Sequence, residues 1–156
     1  MTRGVLLDLA GVIYDGETAI PGGIDAVTRL RQAGLAIRFI SNTTRSSKQS
    51  VLERLQAMGL TVTRADVFTP AHAARDWLLR NGRAPYLLIH PGLAPDFCEL
   101  PDRDKRAVIV GDAGDAFTYA ALNDAFRELS AGAELLALAT NRTFRDADGE
   151  LSLDAG

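Results

Sequence analysis

One cysteine, Cys98, serves all 156 residues, so an intrachain disulfide and a cysteine-rich metal site are both excluded. A lone thiol fits a reducing compartment, and no basic residue flanks it closely in sequence, so Cys98 is expected to pack rather than react. Positive charge is not in excess: 17 Lys and Arg stand against 20 Asp and Glu, for a net charge of −3. The basic residues are scattered rather than massed, which argues against nucleic acid as a partner. No apolar run approaches the ~20 residues that a membrane helix needs, and no apolar signal segment follows a basic start. No membrane is therefore expected, and the expected location is cytoplasmic. Internal repeats and low-complexity segments are lacking as well.

What is present reads as an ordinary globular chain, with 47% apolar and 24% charged residues. Its chemistry gathers at the start. Val5 to Leu7 is an apolar, strand-forming run that drives into Asp8 and, three residues on, Gly11. That is the pattern of a buried parallel strand ending at a functional loop. In open α/β sheets ligands bind beyond the carboxyl ends of strands, where a carboxylate can attack phosphorus and a glycine lets backbone approach a phosphate. Asp and Gly also form turns, so these residues alone leave a simple turn open.

The alternation continues. Tyr14 to Gly23 reads as a Gly-rich loop, Ile24 to Leu30 as an amphipathic helix closed by Gly34, and Leu35 to Ile40 as a second strand. A strand–helix–strand unit of this length is expected to be right-handed and parallel, bringing Ser41 to the sheet edge that carries Asp8. Ser41, Asn42, Thr43 and Thr44 offer hydroxyls and amides to an anion there, or only cap the next helix. A capping box at Ser46 to Gln49 starts that helix, and Gly59 closes it. Thr61 to Phe68 leans towards strand. Thr69-Pro70 opens a helix to about Asn81. His72 near its start is expected at the surface or as a cap. Ala84 to His90, Arg106 to Val110 and Glu134 to Thr140 read as strands, and Phe117, Leu122, Phe126 and Leu129 as one helical face.

The stretch Asp8-Leu9-Ala10-Gly11-Val12 resembles motif I of the haloacid dehalogenase superfamily, and Phe39-Ile40-Ser41-Asn42 resembles its motif II. Pro85 to His90 and Val110 to Phe126 resemble subfamily IIA, in particular the phospholysine phosphohistidine inorganic pyrophosphate phosphatase group. The resemblance implies an α/β fold: a Rossmann-like parallel core, of which residues 1–69 are the N-terminal part with motifs I and II, and an inserted αβ cap over residues 70–156. Motifs III and IV would follow, so the residues shown are expected to be a fragment or a truncated member.

By the same resemblance the chain is a magnesium-dependent phosphatase working through an aspartyl-phosphate at Asp8, with a small phosphorylated substrate, a phosphoramidate or pyrophosphate. Mg2+ would be held by Asp8 and the backbone carbonyl of Ala10, phosphate by Gly11, Ser41 and Asn42, and Asn141 and Arg142 of the cap would select the substrate or simply face solvent. A homo-oligomer is compatible with the sequence. Position 10 departs from the usual pattern, in which a second aspartate protonates the leaving group. Two other readings stay open: a phosphate-binding module that has lost catalysis, and an enzyme like phosphonoacetaldehyde hydrolase, which shares alanine at that position. Gly111-Asp112 with Asp115 imitates motif IV, but its place in the order and the lack of a suitable preceding lysine favour turn formation and helix N-terminal charge complementarity.

Overall fold

The computed structural model describes residues 3–145 and 149–156. The chain forms two compact units, one of residues 1–42 and 48–69, the other of residues 43–47 and 70–156. Both contain short parallel strands alternating with helices, an α/β architecture.

The first unit is built on a three-stranded sheet in the order β1 (Gly4–Asp8), β4 (Ala36–Ile40), β5 (Val67–Phe68). β1 and β4 are parallel in the register Gly4↔Ala36 through Asp8↔Ile40, and β4 pairs with β5 through Phe39↔Val67 and Ile40↔Phe68. Side chains alternate across the strands. Val5, Leu7, Ile37, Phe39 and Val67 pack with Val27 of α1 (Gly23–Gln32) and with Val51, Leu52 and Leu55 of α2 (Lys48–Ala57). The opposite face is bare: Leu6 is 68% exposed, Phe68 52%, and Ile40 is also exposed.

α1 stops where the sequence says it should. Gly34 adopts φ 79°, its N–H reaches Arg31 O at 2.9 Å, and Leu35 N–H reaches Leu30 O at 3.2 Å. The segment after β1 is not a plain loop but a small hairpin, β2 (Tyr14–Asp15) against β3 (Thr18–Ala19). The helix α2 begins at Lys48, which puts Ser47 rather than Ser46 directly before it. Strand is confined to the last two residues of Thr61 to Phe68, because Thr63 and Asp66 close a turn first. Thr63 N–H and its hydroxyl donate to Asp66 Oδ2 at 2.9 and 2.8 Å, and Asp66 N–H returns to Thr63 O at 3.0 Å.

In the second unit a parallel sheet runs β6 (Ala84–Leu88), β7 (Arg106–Val110), β8 (Glu134–Ala137). The central strand is covered on both sides, as its unbroken apolar run requires. Ala107 and Ile109 meet Ala71, Ala74 and Leu78 of α3 (Pro70–Asn81) with Leu93 and Phe97. Val108 faces Ala125 of α4 (Tyr119–Ser130), with Phe117, Ala121 and Leu129 packed alongside. Residues β9 (Thr143–Arg145) and β10 (Leu151–Leu153) form an antiparallel pair.

Two expectations are corrected here. Leu122 and Phe126 do not share the buried face of α4 with Phe117 and Leu129; Phe126 is 64% exposed. Alanines take the inward stripe instead, which lets the helix lie close enough for the Tyr86 hydroxyl to donate to Ala121 O at 3.2 Å. The connection after β6 coils into a 3-10 turn over Pro91–Phe97 that buries Leu93 and Phe97. Cys98 does not pack: it is exposed, its thiol directed at Ala94 O 3.4 Å away. His72 is half-buried on α3.

Candidate active site

Asp8 closes β1 and is exposed. The Leu9 N–H donates to its Oδ1 at 2.8 Å, which orients the carboxylate. Buried Leu9 anchors the loop that follows: its carbonyl accepts from Ile13 N–H at 2.8 Å and Tyr14 N–H at 3.2 Å. The chain turns between them with Gly11 at φ 75°, in open space, and with Ala10 exposed beside it. The Gly11 amide does not point to an anion as expected from the sequence. It donates to Tyr14 O at 2.8 Å, so its contribution is the turn, whose positive φ and not any lack of space favours glycine.

Ser41 follows β4 and is buried, its N–H donating to Phe68 O at 3.0 Å. Since Asp8 pairs with Ile40 in a parallel register, Asp8 and Ser41 leave the sheet at the same edge on neighbouring strands. Strand spacing and rise put their Cα atoms roughly 6 Å apart. They share an edge but not a face: Asp8 continues the open side of Leu6, and Ser41 the packed side of Ile37 and Phe39. Asn42 is exposed next to Ser41.

The donors at this edge suit a hard cation: a carboxylate and a backbone carbonyl, at Asp8 and Ala10, with no sulfur or imidazole. Magnesium keeps several waters and is held by one or two carboxylates plus substrate phosphate, so a sparse oxygen set fits it. Among the described residues no group of three His, Cys, Asp or Glu side chains forms a metal cluster.

Asp112 belongs to the second unit. It follows β7 in the second sheet, 2% exposed, with both oxygens engaged: Oδ2 receives Arg45 Nε–H in an ion pair, and Oδ1 accepts Gly114 N–H at 3.1 Å. The second contact is the turn-forming role read from the sequence. The ion pair was not foreseeable, because its partner lies 67 positions away. Asn141 and Arg142 are exposed; their carbonyls accept from Gly156 N–H at 2.7 Å and Asp154 N–H at 3.0 Å. Lys48 is buried at the start of α2.

Residues 5–123 match the family model of haloacid dehalogenase-like hydrolases. The chain is 38% identical over 160 residues to human phospholysine phosphohistidine inorganic pyrophosphate phosphatase, and 40% identical over 154 residues to human haloacid dehalogenase-like hydrolase domain-containing protein 2. Each match covers 99% of this chain and 59% of the relative. Among solved structures, p-nitrophenyl phosphatase from Archaeoglobus fulgidus shares the fold with a TM-score of 0.88 at 24% identity, covering 99% of this chain and 61% of that one. The chain therefore spans about three-fifths of the length of the proteins it resembles.

Proposed function

The chain belongs to the haloacid dehalogenase-like hydrolase family, and on that premise we propose that it supplies the nucleophile and part of the phosphate cradle of a magnesium-dependent phosphatase for small phosphorylated compounds. The parallel register that sends Asp8 and Ser41 off one sheet edge carries this reading. Residues 1–69 are then the N-terminal part of the catalytic core and residues 70–156 its cap.

In the proposed reaction Asp8 Oδ2 attacks phosphorus. The bond from phosphorus to the leaving atom breaks, and its electron pair departs with the leaving group. Leu9 N–H holds the other carboxylate oxygen, so the nucleophile presents one oxygen in one direction at no further entropic cost. The Ser41 hydroxyl and Asn42 donate to the equatorial oxygens, where charge is greatest in the transition state. Water then attacks the acyl phosphate, releases inorganic phosphate and restores the Asp8 carboxylate. Mg2+, held by Asp8 and the Ala10 carbonyl, neutralises phosphate charge when bound.

Ala10 constrains the substrate. It carries no proton to the leaving group, so departure must be easy without one from this position. Phosphoramidates and pyrophosphate meet that demand better than alkyl phosphates, in keeping with the printed name of the human phosphatase above. The same alanine supports a second reading, a module that binds phosphate without turning it over. Hydrolysis of imidodiphosphate and p-nitrophenyl phosphate by the full-length protein, dependent on Mg2+ and abolished by Asp8→Asn, is the expected result. No turnover of either, with phosphate still bound, selects the second reading.

A further inference from the structure

Residues 43–47 follow the Ser41–Asn42 turn without a break, yet they belong to the second compact unit and not to the one that holds Ser41. Arg45, at the middle of the segment, is secured three ways within that unit. Its Nε–H pairs with the buried Asp112 carboxylate. Its guanidinium lies over the Phe144 ring, 4.2 Å from the centroid. Its carbonyl abuts Gly92 so closely that a Cβ there would have no room. Ser46 N–H, donating to Thr43 Oγ1 at 3.3 Å, bends the segment locally.

Asp112 is the informative member. A carboxylate this buried is costly unless its charge is matched and its lone pairs are taken, and Arg45 and Gly114 do both. Nothing in the turn after β7 requires a charge, since an Asx-turn forms equally with asparagine. The charge is explained by Arg45.

We infer that Asp112 is a positioning residue: through Arg45 it holds residues 43–47 and so sets the conformation of the Ser41–Asn42 turn three residues upstream. This rests on the phosphate-cradle reading of that turn. Asp112 touches no reacting atom in this scheme, and the acidic stretch that imitates a metal motif does its work on an arginine.

The test uses the full-length protein with Mg2+ and inorganic phosphate as probe, comparing Asp112→Asn, Arg45→Met, Arg45→Lys and the double variant Arg45→Met/Asp112→Asn. Asparagine keeps the Gly114 contact and so isolates the charge pair, whereas methionine keeps the stem of Arg45 but also gives up the guanidinium over Phe144. Expected are faster amide hydrogen exchange across residues 43–47 and phosphate binding weakened on the order of tenfold, below the ~100-fold that a 1 Å displacement can cost. The double variant binds no more weakly than either single, and Arg45→Lys recovers part of the loss. Variants that bind phosphate as tightly as the unaltered protein overturn the inference and leave the phosphatase reading standing, as does unchanged exchange at 43–47. An unaltered protein that binds no phosphate sinks both.

Discussion

Phe39 decides whether the first sheet is organised as described. It is fully buried, two residues before Ser41, between Leu7 and Val67 in register, with the Arg31 guanidinium 6.0 Å from its ring centroid. Leu6 sits one row away on the neighbouring strand, paired with Arg38, and faces outward. Truncating a buried phenylalanine to alanine costs about 3–5 kcal/mol, transfer and cavity together. Truncating an exposed leucine away from any special feature falls within about 0.5 kcal/mol. At about 1.4 kcal/mol per tenfold, Phe39→Ala should speed exchange of the β1 and β4 amides by roughly two to three and a half orders of magnitude, and Leu6→Ala by less than about threefold. Native-state hydrogen exchange on the 156-residue chain reads this sheet locally, so the second unit does not blur the result. Equal costs at the two positions would refute the one-sided core. A penalty below about 1 kcal/mol at Phe39 would refute the claim that the strand carrying Ser41 is pinned by its aromatic ring.

Other outcomes follow from single contacts. Burial works against the Asp66 charge, yet the Thr63 N–H and hydroxyl, with Arg38 and Arg31, outweigh it and hold the carboxyl below its ordinary value of 3.8. The stability this lends is complete above the unfolded-state value and fades as pH falls through the lower folded-state value. The midpoint advantage of the unaltered protein over Asp66→Asn in thermal melts should therefore be present at neutral pH and vanish below pH 3.8. Thr118 caps α4 by accepting Ala121 N–H at 3.2 Å, and Thr118→Ala should lose about 1 kcal/mol in urea unfolding. Ala10 is exposed and accommodates a carboxylate; Ala10→Asp should raise turnover of alkyl phosphates by about 100-fold if proton transfer limits them, and a flat response places the limit elsewhere.

Much of this was legible from local pattern. The β1 to β4 unit followed from an apolar run, a three-residue helical repeat and a glycine stop, each a local signal that its surroundings did not override. Thr69-Pro70 opened α3 where proline's missing N–H costs nothing. Misreadings arose where two local signals competed or a distant partner decided. Phe117, Leu122, Phe126 and Leu129 are spaced as a face, but the close approach of α4 to Tyr86 favours the alanine stripe beside it. Thr63 and Asp66 bond each other before the strand-forming residues around them can pair. Arg45 as the partner of Asp112, and the tight passage past Gly92, join positions no window along the chain brings together.

The open face of the first sheet bears on the chemistry as well as on stability. Parallel sheets are ordinarily covered on both sides, whereas Leu6, Ile40 and Phe68 leave an apolar face exposed here. Asp8 belongs to that face by alternation, so the solvent around its carboxylate is set by whatever lies over Leu6 and Ile40. An aspartate attacks phosphorus faster when its water is replaced by fixed dipoles, and the Leu9 N–H is one such dipole in place. Ser41, by contrast, sits in a finished environment, packed against the interior and tied to Phe68. On the proposed reading the Ser41 side of the site rests on the packed face of this sheet and on the segment 43–47 that follows it, whereas the reactivity of Asp8 depends on cover over its outer face. If Asp8 and Ser41 act as proposed, a substitution on the outer face, such as Leu6→Ala, should alter kcat before it alters the affinity for inorganic phosphate.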